Sequence, residues 1–183
     1  MSETHIIGAV RPPWTVDDLL IRAEIYAGEK HAGQLRKDGV TPYISHPAAI
    51  VASLRLCGMQ EPEVLAAAWL HDVVEDTDAT LDDIFREFGP AVGSLVGVLT
   101  KWTTREAYYA AILSAEPRAK LVKMVDLEHN CRTLRYLSEK GAQRKLSEVR
   151  EVYVSLEAEL EPLYSCGWLF DEMRAHIRRF EQA

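Results

Sequence analysis

The sequence predicts an all-α domain. Three observations carry that expectation: capping signals recur along the chain, Gly and Pro punctuate the segments between them, and sustained strand alternation is missing. Thr15-Val16-Asp17-Asp18 has the form of a capping box, and Leu19, Leu20, Ala23, Tyr26 and Ala27 follow at helical spacing. His46-Pro47 reads as an N-cap followed by proline at the first helical position, with Gly58 ending that helix. Pro62 opens the next. Thr80-Leu81-Asp82-Asp83 is a second capping box, and Gly89-Pro90 closes one short helix and opens another. Pro117 starts a segment running through Asp126 toward Leu137, and amphipathic stretches at roughly 143–163 and 168–181 complete the chain. No repeat and no long linker divides the sequence. It reads as one domain over 1–183, with 1–14 an extended segment and 143–183 C-terminal helices packed on the core.

Composition bounds the function. The chain has 183 residues, 48% hydrophobic and 27% charged, enough for one sizeable core. Its net charge of −7 argues against nucleic-acid polymers, which need a basic surface, but leaves a small anionic substrate open. No run approaches the ~20 apolar residues of a membrane span, and the N-terminus lacks the pattern of a signal peptide. Three widely spaced cysteines, Cys57, Cys131 and Cys166, fit reduced thiols in a cytoplasm better than a disulfide framework. Self-association into a homo-oligomer stays open.

The chemistry concentrates at His71-Asp72, inside the otherwise apolar run from Ala66 to Val74. Burying an imidazole and a carboxylate there demands compensation, and a divalent ion supplies it. A helix through this segment places Glu75 four residues after His71 and Asp76 four after Asp72, so two further acids share neighbouring faces one turn on. Distant segments add His46 and Asp126. Two imidazoles and two carboxylates suit manganese or iron, and magnesium less well because imidazole is a poor magnesium ligand. Coordination positions left to water and substrate would make such an ion a Lewis acid.

The ordered set His46, His71-Asp72 and Asp126 resembles that of HD-superfamily phosphohydrolases, which implies a single HD-domain helical bundle. A longer set sharpens the likeness: His31, the string Arg36 to Pro47, His71-Asp72-Val73-Val74-Glu75-Asp76-Thr77, Phe88-Gly89, Thr100-Lys101 and Asp126 to Leu134. Spanning roughly residues 20–137, these are similar to the hydrolase domain of RelA/SpoT-type alarmone enzymes. No sequence is left over for a synthetase domain. The resemblance therefore implies a stand-alone small alarmone hydrolase, removing the 3′-pyrophosphate of ppGpp or pppGpp. It puts the metal on His46, His71, Asp72 and Asp126, catalysis on Glu75 and Asp76, and nucleotide contacts on Arg36, Lys37, Asn130 and Thr133. Asp126, Asn130 and Thr133, at i, i+4 and i+7, would then share one helix face.

The likeness has departures. Leu127 stands where long enzymes carry arginine, Glu128 replaces an apolar residue, and Asp38 sits near a usual hydroxyl position. If all three line the pocket rim, they weaken binding of a highly phosphorylated guanosine. Other residues have bland readings: His31 and His129 could line the site or simply pack, Lys120 and Lys123 could line a phosphate path or solvate a helix, and His5 and His176 have no assigned role. Val149, Tyr153, Leu156, Leu160, Trp168 and Phe170 read as core or as a helix-packing face. Two alternatives accompany the main reading. One is an HD enzyme acting on another phosphoester such as a nucleoside monophosphate. The other is a nucleotide-sensing module without turnover, which retention of Glu75 and Asp76 disfavours.

Overall fold

A computed structural model describes residues 15–181, so the expectations for 1–14, for His5 and for the Tyr153 side chain lie outside the described residues. Nine α-helices account for nearly all of the regular structure: α1 (Val16–Lys30), α2 (Ser45–Leu56), α3 (Pro62–Leu70), α4 (Val73–Asp76), α5 (Leu81–Leu99), α6 (Arg105–Ser114), α7 (Pro117–Cys131), α8 (Glu139–Leu160) and α9 (Gly167–Glu181). Among the described residues there is no sheet, only an isolated antiparallel bridge between Leu35 and Pro42. The all-α expectation holds.

Local sequence explains most boundaries. Thr15 and Thr80 close full capping boxes with Asp18 and Asp83, and Pro62 and Pro117 occupy first-turn positions of α3 and α7. Gly89 adopts φ 83°, which a side chain would resist, and it breaks α5 into 81–88 and 90–99. The bend folds the first half back on the second, so that a Cβ on Gly93 would meet the Phe85 ring at 2.6 Å. At α2 the sequence expectation shifts. The helix starts at Ser45 with Ile44 as an N-cap that donates no side-chain bond, placing His46 inside the first turn rather than at its cap.

Two helices form the axis of the bundle. α3 buries every residue from Val64 to Leu70, its three consecutive alanines admitting α1, α2 and α5 at close range. α7 packs against α2 on one side and α8 and α9 on the other. Leu156, Leu160, Phe170 and Met173 are fully buried and seal the C-terminal helices onto α7. α3 delivers His71 and Asp72 at its end, and α7 carries Asp126 in its middle.

Candidate active site

The segment carrying His71-Asp72 is not one helix. α3 stops at Leu70 and α4 restarts at Val73. The cause is local: the His71 Nδ1 bonds the Ala68 carbonyl at 2.8 Å, taking the acceptor that a continuing helix would offer to the N–H of Asp72. The turn of backbone persists, so Glu75 and Asp76 still follow one turn later, as the Asp76 N–H donating to the Asp72 carbonyl records.

Four atoms from three regions converge. His46 Nε2 lies 3.5 Å from Asp72 Oδ2 and 3.2 Å from Asp126 Oδ1, and His71 Nε2 lies 2.9 and 3.9 Å from the same two oxygens. His46, His71 and Asp126 are buried, and each offers a ligand atom within 4.8 Å of the others. Separations near 3 Å suit neighbours around a cation with bonds of roughly 2.1 Å.

Proton positions favour the same reading. The bond to Ala68 requires the proton on His71 Nδ1, leaving Nε2 to the cluster, where it is buried beside Asp72 Oδ2 at 2.9 Å but without hydrogen-bond geometry to any partner. An orphaned imidazole nitrogen facing carboxylates is what a metal ligand looks like without its ion. His46 is set by a second imidazole: its Nδ1 is 2.7 Å from Nδ1 of His129. Burial, then the charges of His46 and Arg36, hold His129 down to about 4. A neutral His129 accepts from His46, which again turns Nε2 toward the acids. His129 thus orients the His46 ring and does not line the cavity described next.

Electrostatics of the cluster follow. Burial opposes charge on Asp126, but Lys123, His46 and His71 hold its carboxyl well below the usual range. Its two oxygens divide the work: Oδ2 accepts from Lys123 Nζ at 2.7 Å, and Oδ1 faces the imidazoles and accepts from Asn130 Nδ2 at 2.6 Å. Burial opposes charge on His71 too, and Asp72 with Asp126 still pushes it up to about 9. In the metal-free protein His71 therefore contributes stability fully below about 6.5, lost as pH rises toward about 9. Asp72 and Asp126, both depressed, contribute above the ordinary 3.8 and lose that contribution in acid. The melting temperature without metal should fall by several degrees between pH 6.5 and 9, reflecting at most a few kcal/mol. Added manganese should cancel the fall, because ligation replaces the proton. A flat alkaline profile without metal would remove His71 from the ion-pair network.

Beside the cluster opens a cavity of about 570 Å³. Asp72 and Asp126 line it, together with Glu75, Asp76 and Tyr43. Glu75 Oε2 accepts from the Lys101 backbone N–H at 3.0 Å. The Tyr43 hydroxyl reaches both Asp72 Oδ2, at 2.5 Å, and Asp76 Oδ2, at 3.1 Å. Burial first, then the charge of Asp72, raises the Asp76 carboxyl. Arg36 lies over the Tyr43 ring and donates to Asn130 Oδ1 at 3.3 Å. Arg36, Lys37 and Asn130 line the cavity, and Thr133 does not. α7 ends at Cys131, so the i+7 position leaves the helix face, and the Thr133 hydroxyl donates back to the Asn130 carbonyl.

Sequence reasoning missed other walls. Tyr43 carries no signal of a role in the sequence, and Lys123 reads equally as a phosphate contact or a solvated helix charge. Lys101, Arg105, Tyr108 and Tyr109 come from around α6, and Arg144, Lys145 and Glu148 from α8. Nothing in a solvated-looking helix announces which of its charges face a cavity. His31 lies beside the site, its ring stacked on Tyr43 at 4.5 Å and its Nδ1 bonded to Gln34. Lys120 instead pairs with Glu159.

Residues 23–162 match the HD domain family. The chain belongs to that family. A GTP pyrophosphokinase of Streptomyces antibioticus is 40% identical over 138 residues, 69% of this chain and 16% of that protein. A probable GTP pyrophosphokinase of Mycobacterium leprae is 36% identical over 88% of this chain and 22% of its own length. The chain thus spans about a fifth of the curated relatives it matches. Among solved structures, a metazoan ortholog of SpoT, described as hydrolysing ppGpp and playing a role in starvation responses, superposes with a TM-score of 0.75. It is 27% identical, covering 93% of this chain and 98% of that one. A protein from Listeria monocytogenes EGD-e superposes at 0.61, with 26% identity over 76% of this chain and 97% of its own.

The departures noted in this HD domain do not weaken its pocket. Leu127 and Glu128 are not on the rim; both are fully buried, on faces of α7 turned away from the cavity. Glu128 accepts from Arg132 at 2.8 Å and pairs with His176 Nε2 of α9 at 3.2 Å. Asp38 folds onto its own turn, accepting from Val40 N, Thr41 N and the Thr41 hydroxyl, which hold it at about 2. The substitution at 128 is therefore a packing matter. Glu128→Leu should leave KM unchanged within twofold, since it removes no charge from the cavity. It should lower stability by about 1–3 kcal/mol, below the cost of a wholly buried pair because Arg132 can return to water. A changed KM with an unchanged melting temperature would return Glu128 to the rim.

Proposed function

We propose that the chain is a metal-dependent phosphohydrolase that removes the 3′-pyrophosphate of ppGpp or pppGpp. The observation that carries this reading is the near full-length superposition on the ppGpp-hydrolysing ortholog of SpoT, at 98% coverage of that chain. The pocket agrees with it. Seven of the chain's 21 Lys and Arg residues line one cavity in a protein of net charge −7, a bias that suits a polyanionic nucleotide. His46, His71, Asp72 and Asp126 would hold the ion, with manganese favoured over magnesium by the two imidazoles. When bound, such an ion supplies Lewis-acid stabilisation of a phosphoryl oxygen and acidifies a water.

This chain's own side chains would do the remaining work. Arg36 and Asn130, tied to each other and to Asp126, orient the nucleotide against the cluster. Glu75, fixed by the Lys101 backbone, takes a proton from the attacking water. Asp76, raised by burial and Asp72, holds a proton for the leaving 3′ oxygen. Lys123 keeps Asp126 ionised. Free buried thiols at Cys57, Cys131 and Cys166 fit a reducing cytoplasm, and no described helix is long and apolar enough to cross a membrane. Residues 1–183 would form one domain.

The test is product release from a nucleotide panel with and without manganese. Pyrophosphate and GDP from ppGpp, dependent on metal, is the expected result. Rapid turnover of a nucleoside monophosphate with ppGpp untouched would replace it with a different phosphoester substrate, and metal-independent binding without turnover would make the chain a sensor.

A further inference from the structure

Asp72 and Asp126 of the cluster line the cavity, and a further part of its wall comes from α8, which the sequence presents as an ordinary amphipathic helix. From it Arg144, Lys145 and Glu148 face the same space as Lys37. Lys145 is partly balanced by Glu148 Oε2 at 3.3 Å, and Glu148 also accepts weakly from the Tyr109 hydroxyl at 3.4 Å. Arg144 and Lys37 have no ion pair or hydrogen bond from their side-chain heads among the described residues, and both are exposed to the cavity mouth. One acid against three cations leaves this wall with a positive surplus. Burial first, and then the proximity of Lys145 and Arg36, pull Lys37 below its ordinary value, so the cations of the loop and of α8 lie within electrostatic range of one another.

Like charges gathered without matching acids cost stability, and an incoming anion relieves that cost. The hydrolytic end of the pocket needs none of them: Lys123 already serves Asp126, and Arg36 is engaged with Asn130. We infer that Lys37, Arg144 and Lys145 form a second anion subsite, which binds the phosphate groups of the substrate that are not cleaved. The ligand class is a nucleoside carrying a phosphate or diphosphate remote from the bond that is hydrolysed. The inference rests on the proposed nucleotide reaction, and it makes the substrate's uncleaved 5′ end a determinant of specificity. Arginine suits the role, since its planar fork matches two phosphate oxygens at once.

GDP provides the probe, because it carries the 5′-diphosphate and has nothing at the 3′ position to cleave. Calorimetry in EDTA should show GDP binding the wild-type chain at least tenfold more tightly than guanosine, with affinity falling as salt rises. In the Arg144→Gln/Lys145→Gln variant the GDP advantage should shrink to within about threefold, while guanosine binding and helical content stay as in wild type. Hydrolysis gives a second readout: the ratio of kcat/KM for ppGpp over guanosine 3′-diphosphate should fall at least tenfold in the variant. Equal losses on both nucleotides, or a GDP advantage that survives the double substitution, would overturn the subsite. If GDP binds as expected but wild-type enzyme leaves ppGpp intact, the reaction assignment fails and the subsite stands.

Discussion

Asp126→Ala should yield a folded protein that retains no divalent ion and turns over nucleotide on the order of 10³-fold more slowly. Asp126 Oδ1 is the atom that faces both imidazoles, 3.2 Å from His46 and 3.9 Å from His71. Losing it removes charge as well as a ligand. Lewis-acid stabilisation of several kcal/mol, at about 1.4 kcal/mol per factor of ten, sets the size of the effect. The substitution also strands the buried Lys123 ammonium, which rests on Asp126 Oδ2 at 2.7 Å, so part of any loss could reflect stability. Asp126→Asn keeps an oxygen for Lys123 and separates the two. Metal content by elemental analysis, beside circular dichroism and turnover, reads the outcome. Full metal occupancy in either variant would take Asp126 out of the ligand set.

Glu75→Gln and Asp76→Asn should behave differently: metal stays, and turnover falls by a factor on the order of 10²–10⁴. Neither carboxylate enters the His46, His71 and Asp126 cluster. Both line the cavity beside it, Glu75 tethered to the Lys101 backbone and Asp76 within reach of the Tyr43 hydroxyl. Asp76, whose carboxyl is raised by burial and then by Asp72, is the proposed proton holder, so its variant should also flatten the alkaline limb of the rate profile. Near-normal rates in both variants, with metal retained, would make the pair structural and end the proposed mechanism.

The four-residue cluster could be read from the chain because its signals are local and costly. A His-Asp pair within an alanine-rich run, a histidine before a proline, and an aspartate amid Val122, Met124 and Val125 each demand compensation wherever the chain folds. The capping boxes at Thr15 and Thr80 and the break at Gly89 were legible for the same reason: neighbours in sequence decide them. What depended on long-range packing was not legible. Glu128 looks like any helix acid until α9 arrives with His176, and Arg144 and Lys145 look solvated until α8 closes the cavity. Thr133 failed for a subtler reason, because periodicity was extended two residues past the point where α7 ends. His129 was readable as a residue of interest but not as a partner of His46, since 83 positions separate them.

The carbonyl of Ala68 has a consequence for transplanting this centre. One acceptor both stops α3 and fixes which His71 nitrogen is left for the cluster. Grafting the dipeptide onto an uninterrupted helix would return that carbonyl to the backbone ladder and release the imidazole to either tautomer. A designer who copied only the four proposed ligands would thus inherit their identities without their aim. The portable unit runs from Ala68 to Asp76, helix end included, and any host scaffold must offer a place where a helix is allowed to stop.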